Sequence, residues 1–452
     1  MKRKQFSFFA YNPPTSGTYT INGYTYKSGE DFRSVKRCRE YLNCGFDMFQ
    51  MRYEYYYTGE DGWENSQTKY MWDIALAAGI KRILVSDRRL DRIIRHGDCE
   101  PARLVGEGCP YASEAELDAK VAEYVSDYKD EAGFYGIQMV DEPRIQHVHA
   151  YGELARSLKR VLPNVYLQVN LNPMGVKYEG LDDKQSYERY VREMLEGGNL
   201  KNISFDDYPF RREYIISGNN ILTYQMVARI CKEYGAELNT VLQSFSHSTG
   251  GVLRTRRMLE SDVYWETNVA MGFGTREYAF YTYMPKVDFD YAKGGDGIDG
   301  ACFINNDGSR SALYNYTKRI IKEMQKFSKV ALKYEYESSY IITEKGKTKD
   351  DFEWTASAET YGECPFAISV DKGVALVTEQ RNGEARLYMI ENIGNVKDEL
   401  FENAPPMKVE FSLPNGEKTF YYRGEKVDCQ ELNGKFIREL KVGDALFVEI
   451  KK

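Results

Sequence analysis

The first 330 residues alternate between two hydrophobic periods. Short apolar runs typical of buried strands are separated by longer segments in which apolar residues recur every three or four positions, as on one face of a helix. The runs predict eight strands, over residues 6–12, 45–53, 80–87, 133–140, 165–170, 202–206, 237–243 and 276–283. The segments between them predict eight helices, over 32–42, 65–78, 113–128, 145–161, 186–195, 222–234, 256–272 and 312–327.

Eight strands alternating with eight helices predict a parallel sheet closed into a (β/α)8 TIM barrel, an α/β fold. A doubly wound open sheet is the competing architecture. No glycine-rich phosphate loop follows the first strand, which weakens that alternative.

The pattern changes beyond about residue 331. The segments become short and alternating, and Asn-Gly pairs at 382–383, 415–416 and 433–434 are typical of hairpins. We therefore predict a (β/α)8 catalytic barrel over residues 1–330, followed over residues 331–452 by a small antiparallel β-sandwich. We expect the sandwich to be an accessory domain without chemistry of its own.

Charge and cysteine spacing exclude several classes of protein. A net charge of −7 argues against a general nucleic-acid binder. No run approaches about 18 apolar residues, so no membrane helix is expected, and the N-terminal apolar segment is too short for a signal peptide, which favours a cytoplasmic location. The eight cysteines form no CxxC pair, and with four histidines they predict neither a metal site nor a cofactor. A homo-oligomer is left open.

The predicted strands end in polar residues that can hydrogen-bond a sugar. In a (β/α)8 barrel these ends form the active site, so we take them as candidate substrate-binding residues: Asn12, Glu54, Asp87, Asp141, Asn170, Asn172, Asp207 and Gln243. His247, in the loop after the seventh strand, is a further candidate. The alternative is that these residues form turns and helix caps.

Aromatic residues are abundant, with 37 Tyr, 22 Phe and 4 Trp. Such rings suit a large core, and they also suit a sugar ligand, whose apolar C–H faces pack on aromatic surfaces. We take Trp63, Tyr208 and Tyr283, which lie in loops after strands, as candidate sugar platforms. Packing within the loops is the competing explanation.

Paired carboxylates at such a rim suggest acid/base chemistry on an acetal. Glu142 follows the apolar fourth strand and precedes Pro143, which predicts a partly buried carboxyl with a raised pKa, suited to a general acid. Asp141 should point the other way if strand geometry persists. Asp206 is favoured over Asp207 as the second carboxylate, and Glu266, on an apolar helix face, is a third candidate whose structural explanation is stronger.

Four segments resemble, in the same order, the retaining (β/α)8 glycoside hydrolases of clan A, which include the family 42 β-galactosidases. More closely, they resemble bacterial glycan-utilisation barrels that carry Asp-Glu-Pro after strand four. The segments are GFYGIQMVDEP, ISFDDYP, TVLQSF and ESDVYWETNVAMGFGTREYAFYTYMP. The resemblance covers roughly residues 1–330 and implies that Glu142 is the acid/base.

The resemblance also implies a nucleophilic glutamate at the end of strand seven, where this chain has Gln243. Glutamine cannot attack, so either Asp206 takes that role, or the enzyme inverts, or the barrel binds carbohydrate without cleaving it. A separation of about 5–5.5 Å between the two carboxyls indicates retention, and about 6.5–9.5 Å indicates inversion.

The function expected from these residues is hydrolysis of O-glycosidic bonds in a short oligosaccharide. Glu142 is the expected general acid/base, and Asp206 the expected nucleophile or base. The alternatives are a non-catalytic carbohydrate-binding barrel and, more weakly, a metal-dependent barrel enzyme that uses Asp87, Glu142 and Asp206. The lack of histidines at the strand ends counts against the metal enzyme.

Overall fold

The structure is a computed structural model that describes residues 3–16, 18–21, 24–27, 31–52, 55–94, 102–211, 216–249, 252–284, 296–299, 302–305, 307–394 and 405–451. Within these residues, eight strands alternate with eight long helices. The strands are β1 Ser7–Ala10, β2 Phe49–Met51, β3 Ile83–Val85, β4 Phe134–Asp141, β5 Tyr166–Leu171, β6 Asn202–Asp206, β7 Glu237–Gln243 and β8 Glu277–Tyr281. The helices are α1 Val35–Cys44, α2 Gln67–Ala78, α3 Glu114–Val125, α4 Val148–Val161, α5 Lys184–Gly197, α6 Asn220–Tyr234, α7 Glu260–Gly272 and α8 Ala312–Ala331.

The eight strands form one parallel sheet in the order β1-β8-β7-β6-β5-β4-β3-β2. The two ends of this order lie close together, because the backbone N–H of Asp47, just before β2, donates to Phe8 O in β1 at 2.8 Å. The sheet is therefore a nearly closed (β/α)8 barrel, which confirms the predicted fold class against the doubly wound alternative.

Local sequence signals explain where several helices begin and end. The side chains of Ser34, Ser66, Ser113 and Asp183 each accept a hydrogen bond from a backbone N–H in the first turn of the helix that follows. Gly235 ends α6 in the left-handed conformation, with φ of 60°. These caps set the lengths of the helices that carry the chain back to the start of each strand.

Extra elements lie in the loops that leave the C-terminal ends of the barrel strands. After β1 comes a hairpin of Thr18–Ile21 and Tyr24–Lys27, and after β3 a short helix, Arg88–Ile94. A three-stranded sheet joins the loops after β7 and β8, from Ser246–Thr249, Val252–Thr255 and Asp296–Asp299. The sequence pattern did not predict these elements. They build up the end of the barrel at which a ligand would enter, called here the mouth.

The described residues of the C-terminal region form two antiparallel sheets from ten strands. The strands are β9 Glu335–Thr343, β10 Ile368–Val370, β11 Val374–Asn382, β12 Ala385–Asn392, β13 Met407–Phe411, β14 Glu417–Tyr422, β15 Glu425–Val427, β16 Gln430–Leu432, β17 Lys435–Leu440 and β18 Ala445–Lys451. One sheet has the order β9-β11-β12-β18-β14-β15 and the other β10-β13-β17-β16. A short helix, Glu353–Ala356, and a 3-10 turn, Lys349–Asp351, connect β9 to β10. Two further 3-10 turns, Ile145–His147 and Lys177–Glu179, lie in the barrel.

Two of the three predicted hairpins are present. Asn382-Gly383 joins β11 to β12, and Asn433-Gly434 joins β16 to β17. The prediction for Asn415-Gly416 is wrong, because β13 and β14, which flank it, belong to different sheets. An Asn-Gly pair favours a tight turn, but the strands on either side of it can belong to different sheets, as they do here.

The sandwich packs on the outside of the barrel. One face of the six-stranded sheet meets the four-stranded sheet, and its other face joins the hydrophobic core around the barrel helices. Gln380 Nε2 donates to Met271 O at 2.7 Å and to Gly272 O at 2.9 Å, which ties β11 to the end of α7. Among the described residues, no helix is long and apolar enough to cross a membrane.

Candidate active site

The C-terminal ends of three neighbouring strands bring carboxylate and amide groups together at the mouth. Asn170, at the end of β5, donates from Nδ2 to Asp206 Oδ1 of β6 at 2.9 Å and to Asp141 Oδ1 of β4 at 3.1 Å. Its Oδ1 accepts from Ser204 Oγ at 3.1 Å. Both N–H bonds of the amide are therefore used within the protein, so Asn170 orients two carboxylates, although the sequence predicted it to bind substrate.

Asp141 points into the mouth, where the prediction from strand alternation had directed it away from Glu142. Strand β4 shifts register once against β3 and once against β5, the second time between Gln138 and Val140. Each shift inserts an extra residue and re-aims the side chains that follow. Asp141 Oδ2 consequently lies 2.5 Å from Arg52 Nη2, which follows β2 and was not among the predicted site residues.

Glu142 leaves the strand in a left-handed backbone conformation, with φ of 50°. This conformation is strained for a glutamate and is found most often at functional positions. Its N–H donates to Asn170 O at 2.8 Å, and the next residue, Pro143, accepts from Tyr190 OH at 2.7 Å. These two bonds hold the turn, and the Glu142 side chain is exposed in the mouth.

The carboxyl groups of Glu142 and Asp206 lie close enough to shift each other's pKa, and we call them the carboxyl pair. Asp206 is buried, at 5% exposure, and burial followed by the negative charge of Glu142 raises its pKa well above the usual range. Desolvation by the surrounding protein, and then the negative charge of Asp141, raise the pKa of Glu142 to about 7. Two neighbouring carboxyls cannot both ionise at low cost, which is why the pKa of each is raised.

Arg52 opposes these effects. Its positive charge lowers the pKa of Glu142, and its bond to Asp141 holds that carboxylate in place. Arg52 also donates from Nε to Tyr56 OH at 3.0 Å. The Arg52 guanidinium thus bonds to Asp141 and acts on Glu142. An acid that is half protonated near pH 7 beside a second carboxylate can both give and take a proton in the physiological range.

Aromatic rings line the mouth next to Asp206. Tyr208 lies 4.9 Å from Phe245 and 5.8 Å from Tyr281, measured between ring centroids, and Phe245 lies 5.4 Å from Tyr281. We call these three rings the aromatic wall. Tyr208 was predicted as a sugar platform and lies at the mouth. Phe245 and Tyr281 were missed, although Tyr281 occupies the last inward position of β8, which strand alternation could have identified.

The other two predicted platforms lie in the hydrophobic core. Trp63 packs against Trp72 and Tyr128 and donates from Nε1 to Glu131 Oε1 at 2.7 Å. Tyr283 is fully buried among Tyr41, Phe46 and Phe303. The prediction that they contact sugar is not met, because both rings are already surrounded by protein.

Four of the predicted polar residues serve the fold. Asn12, Asp87, Asn172 and Asp207 are all buried and hydrogen-bonded to other parts of the chain. The Asn12 side chain donates to Met284 O at 2.7 Å, Asp87 accepts from Arg89 Nη2 at 2.8 Å, and Asp207 accepts from Asn220 Nδ2 at 3.0 Å. At Asn172 the backbone carbonyl accepts from the Tyr187 hydroxyl at 3.1 Å. The side chains of Asn12, Asp87 and Asp207 thus act as the turn and cap residues of the alternative explanation.

Gln243 and Glu266 form a buried structural pair behind the aromatic wall. Gln243 Oε1 accepts from Phe210 N at 3.0 Å and its Nε2 donates to Phe210 O at 3.2 Å, so backbone groups occupy both ends of the amide. Glu266 Oε1 accepts from Gln243 N at 3.0 Å, and burial raises the pKa of Glu266. The structural explanation favoured for Glu266 therefore accounts for its position, and neither residue is placed as a substrate contact.

Two predicted residues remain. Glu54 lies outside the described residues, and His247 belongs to the strand Ser246–Thr249, with its side chain likewise outside them. For the metal hypothesis, Asp87 is bonded to Arg89 and Tyr128 instead of joining Glu142 and Asp206. No group of three or more His, Cys, Asp or Glu residues in the described part of the chain is arranged to hold a metal ion.

Comparison with known proteins supports the fold. No protein-family model and no curated protein matches this chain. Solved structures do match it. A glycoside hydrolase family 5 protein from Bacteroides vulgatus is 13% identical, with 99% of this chain and 89% of that chain covered and a TM-score of 0.50. An Anoxybacillus α-amylase is 12% identical, with 100% and 99% covered and a TM-score of 0.51.

A further structure described as a glycoside hydrolase is 12% identical, with 99% of this chain and 93% of that chain covered and a TM-score of 0.51. At these identities the likeness shows a shared fold. The (β/α)8 barrel expected from the sequence is thereby confirmed as a fold, and it is shared with these glycoside hydrolases.

Proposed function

We propose that this chain is a glycoside hydrolase in which Glu142 is the general acid/base and Asp206 is the second carboxylate. The observation that carries the proposal is the carboxyl pair at the mouth of the barrel, where the pKa of both groups is raised. Glycoside hydrolysis needs one protonated carboxyl for the leaving oxygen and one carboxylate for the anomeric carbon or a water molecule. The proposal requires Glu142 to hold the proton and Asp206 to be ionised once substrate is bound, whereas the contact within the pair by itself lowers the pKa of Glu142 and raises that of Asp206.

The reaction follows from the position of each group. As the glycosidic C–O bond breaks, Glu142 gives its proton to the leaving oxygen, and the negative charge of Asp206 stabilises the positive charge that develops on the sugar ring. Asp206 then either bonds to the anomeric carbon or takes a proton from the water that attacks it. The water oxygen becomes the new hydroxyl of the sugar, and its proton returns to the carboxyl pair.

Retention requires a separation of about 5–5.5 Å between the two carboxyls, and inversion about 6.5–9.5 Å. Asp206 is buried and held by Asn170, whereas Glu142 is exposed. We therefore expect Glu142, the less constrained of the two side chains, to be the one that adjusts when a sugar ring enters.

A second candidate function is carbohydrate binding without cleavage. It is favoured by Gln243, which stands where clan A barrels have their nucleophile and whose amide is bonded to the Phe210 backbone. A barrel that lacks that nucleophile, and whose other carboxylates served only the fold, would bind a glycan and leave it intact.

The test compares wild type with Glu142→Gln and Asp206→Asn on a panel of α- and β-linked aryl-glycosides and oligosaccharides. We expect turnover by wild type and a loss of about 10²–10⁴-fold in each variant, with unchanged circular dichroism. Glu260→Gln, which removes a carboxylate paired with Arg319 on the outer helices, is the matched control and should retain activity.

Full activity in both site variants would refute the assignment of the carboxyl pair. Binding to glycans with no turnover across the panel would instead support the second candidate function. Where turnover is found, NMR of the first-formed anomer distinguishes retention from inversion.

A further inference from the structure

Tyr178 is the most exposed large hydrophobic side chain among the described residues, at 82%, compared with 49% for Tyr70 and 54% for Leu432. Single exposed hydrophobic residues are common on protein surfaces, so exposure alone carries no functional meaning. The place of Tyr178 in the fold does, because it lies in the loop after β5, at the mouth and close to the carboxyl pair.

The loop that carries Tyr178 is closed on itself. Leu181 N donates to Val176 O at 3.1 Å, and Gly175 N donates to Leu181 O at 2.8 Å. Gly180 completes the turn with φ of 69°, and its N–H donates to Lys177 O at 3.0 Å. A ring held by such a turn loses little conformational freedom when a ligand covers it, which favours binding.

Charged groups place the same loop beside Glu142. Arg144, two residues after Glu142, has its Nε 3.7 Å from Glu179 Oε1, and Glu179 is the neighbour of Tyr178. Burial, and then the negative charge of Glu142, raise the pKa of the Tyr178 phenol. The charge of Asp206 acts on it less strongly than that of Glu142.

In the aromatic wall, the charges of Glu142 and Asp206 contribute to the tyrosine pKa in the reverse order. After burial, the charge of Asp206 is the largest contribution that raises the pKa of Tyr208, and the charge of Glu142 contributes less. The wall comes from the strand ends of β6, β7 and β8, whereas the Tyr178 loop follows β5 and is paired with the loop after β4. The wall therefore extends beyond Asp206 along the rim, whereas the Tyr178 loop is tied to the loop that follows Glu142.

We infer that Tyr178 binds the leaving-group sugar, and that the aromatic wall binds the sugar on the other side of the scissile bond. The inference rests on the proposed function, since the carboxyl that gives its proton to the leaving oxygen must lie on the leaving-group side. A tyrosine ring offers an apolar face to the C–H groups of a pyranose ring. The substrate is accordingly an oligosaccharide whose leaving group is itself a sugar.

The experiment compares two substrates with the same sugar on the wall side, the oligosaccharide that wild type cleaves and the corresponding glycosyl fluoride. Fluoride has no ring to stack and needs little proton assistance. Tyr178→Ala should lower kcat/KM on the oligosaccharide about tenfold or more, and the loss on the fluoride should be several-fold smaller. Tyr178→Trp keeps an aromatic face and should restore most of the loss.

Tyr70→Ala is the matched control, because Tyr70 is also an exposed tyrosine but lies on α2, under the guanidinium of Arg33. Tyr70→Ala should leave kcat/KM unchanged for both substrates. Equal losses on both substrates in Tyr178→Ala, or no loss on either, would overturn the inference and leave the role of Glu142 standing.

A binding measurement separates this inference from the proposed function. In the Glu142→Gln background, Tyr178→Ala should weaken affinity for the oligosaccharide and leave affinity for its wall-side monosaccharide nearly unchanged. Equal effects on the two ligands would contradict the assignment of Tyr178. If Glu142→Gln retained full activity, the proposed function would fail, and this binding comparison would still decide whether Tyr178 holds a second sugar.

Discussion

Both ends of the barrel hold carboxylates and arginines, but the number of guanidinium groups available to the carboxylates differs between them. At the N-terminal end, Arg3 lies 2.8 Å from Glu237 and 2.9 Å from Glu277, and Arg82 pairs with Asp47. At the mouth, Arg52 bonds to Asp141 and its charge acts on Glu142, with Asp206 beside them. These groups amount to two guanidiniums for three carboxylates at the N-terminal end, and one guanidinium for three carboxylates at the mouth.

This difference separates charges that serve the fold from charges that serve chemistry. A buried carboxylate with its own guanidinium stays ionised and rigid, and breaking such a pair is costly. Carboxylates crowded without enough positive charge raise one another's pKa, which costs stability and provides a group that titrates near neutral pH. We therefore expect chemistry at the mouth and a structural role for the charges at the N-terminal end.

The largest predicted effect tests this contrast with one substitution at each end. Glu142→Gln should lower kcat about 10²–10⁴-fold with little change in stability, because it removes the proton donor. Glu277→Gln should leave kcat nearly unchanged and lower the free energy of unfolding by about 3 kcal/mol, because it breaks the pair with Arg3 and weakens the acceptor of the Tyr166 hydroxyl. Activity assays and urea unfolding measure both quantities. A large loss of activity in Glu277→Gln would contradict the distinction between functional charges at the mouth and structural charges at the N-terminal end.

The substitution Gln243→Glu tests whether the mouth tolerates another carboxylate at the end of β7. The Gln243 amide donates to Phe210 O at 3.2 Å and to Phe245 O at 3.4 Å, and a carboxylate cannot donate either bond. The new charge would also lie close to Glu266, which accepts from the Gln243 backbone. We expect a loss of about 1–3 kcal/mol in stability and no gain in turnover. A stable variant with higher activity would show that the position is a vacant nucleophile site.

The pH profile of kcat/KM measures how Arg52 and Asp141 set the proton affinity of the carboxyl pair. A general acid with a pKa of about 7 must be protonated to act, so wild-type activity should fall above about pH 7. Arg52→Gln removes a positive charge, raises the pKa of Glu142 and should move this basic limb to higher pH. Asp141→Asn removes a negative charge and should move it to lower pH, each by on the order of one unit. Shifts in the same direction would contradict the electrostatic explanation.

The fold was predictable because burial imposes a period on the sequence. Residues 202–206 and 237–243 were predicted with the bounds that β6 and β7 have in the structure, since each is an apolar run bounded by polar residues. That Glu142 and Asp206 lie together was also predictable, because both are at the ends of buried strands whose C-terminal ends must meet at one rim. Their catalytic roles remain predictions.

The parts of the site that were missed depend on departures from regular geometry. Asp141 turns inward because β4 is bulged, and Arg52 contacts it across the rim, from β2, through a pairing that no local pattern encodes. Trp63 and Tyr208 are both aromatic residues in loops after strands, and only the tertiary structure places one in the core and the other at the mouth. Hydrophobic periodicity and composition do not distinguish these two environments.

The smallest predicted effect concerns stability, and its sign follows from the raised pKa of Asp206. An unfolded aspartate loses its proton near pH 4, while the folded residue keeps it to higher pH, so the folded state binds more protons and loses stability as pH rises. Asp206→Asn cannot ionise and should raise Tm by about 1–4 °C at pH 8 and hardly at pH 4. Asp118→Asn is the control of opposite sign, because bonding to Arg160 lowers the pKa of Asp118 and its loss should lower Tm at pH 8. A lower Tm for Asp206→Asn at pH 8 would mean that Asp206 stabilises the fold as the carboxylates of the N-terminal end do.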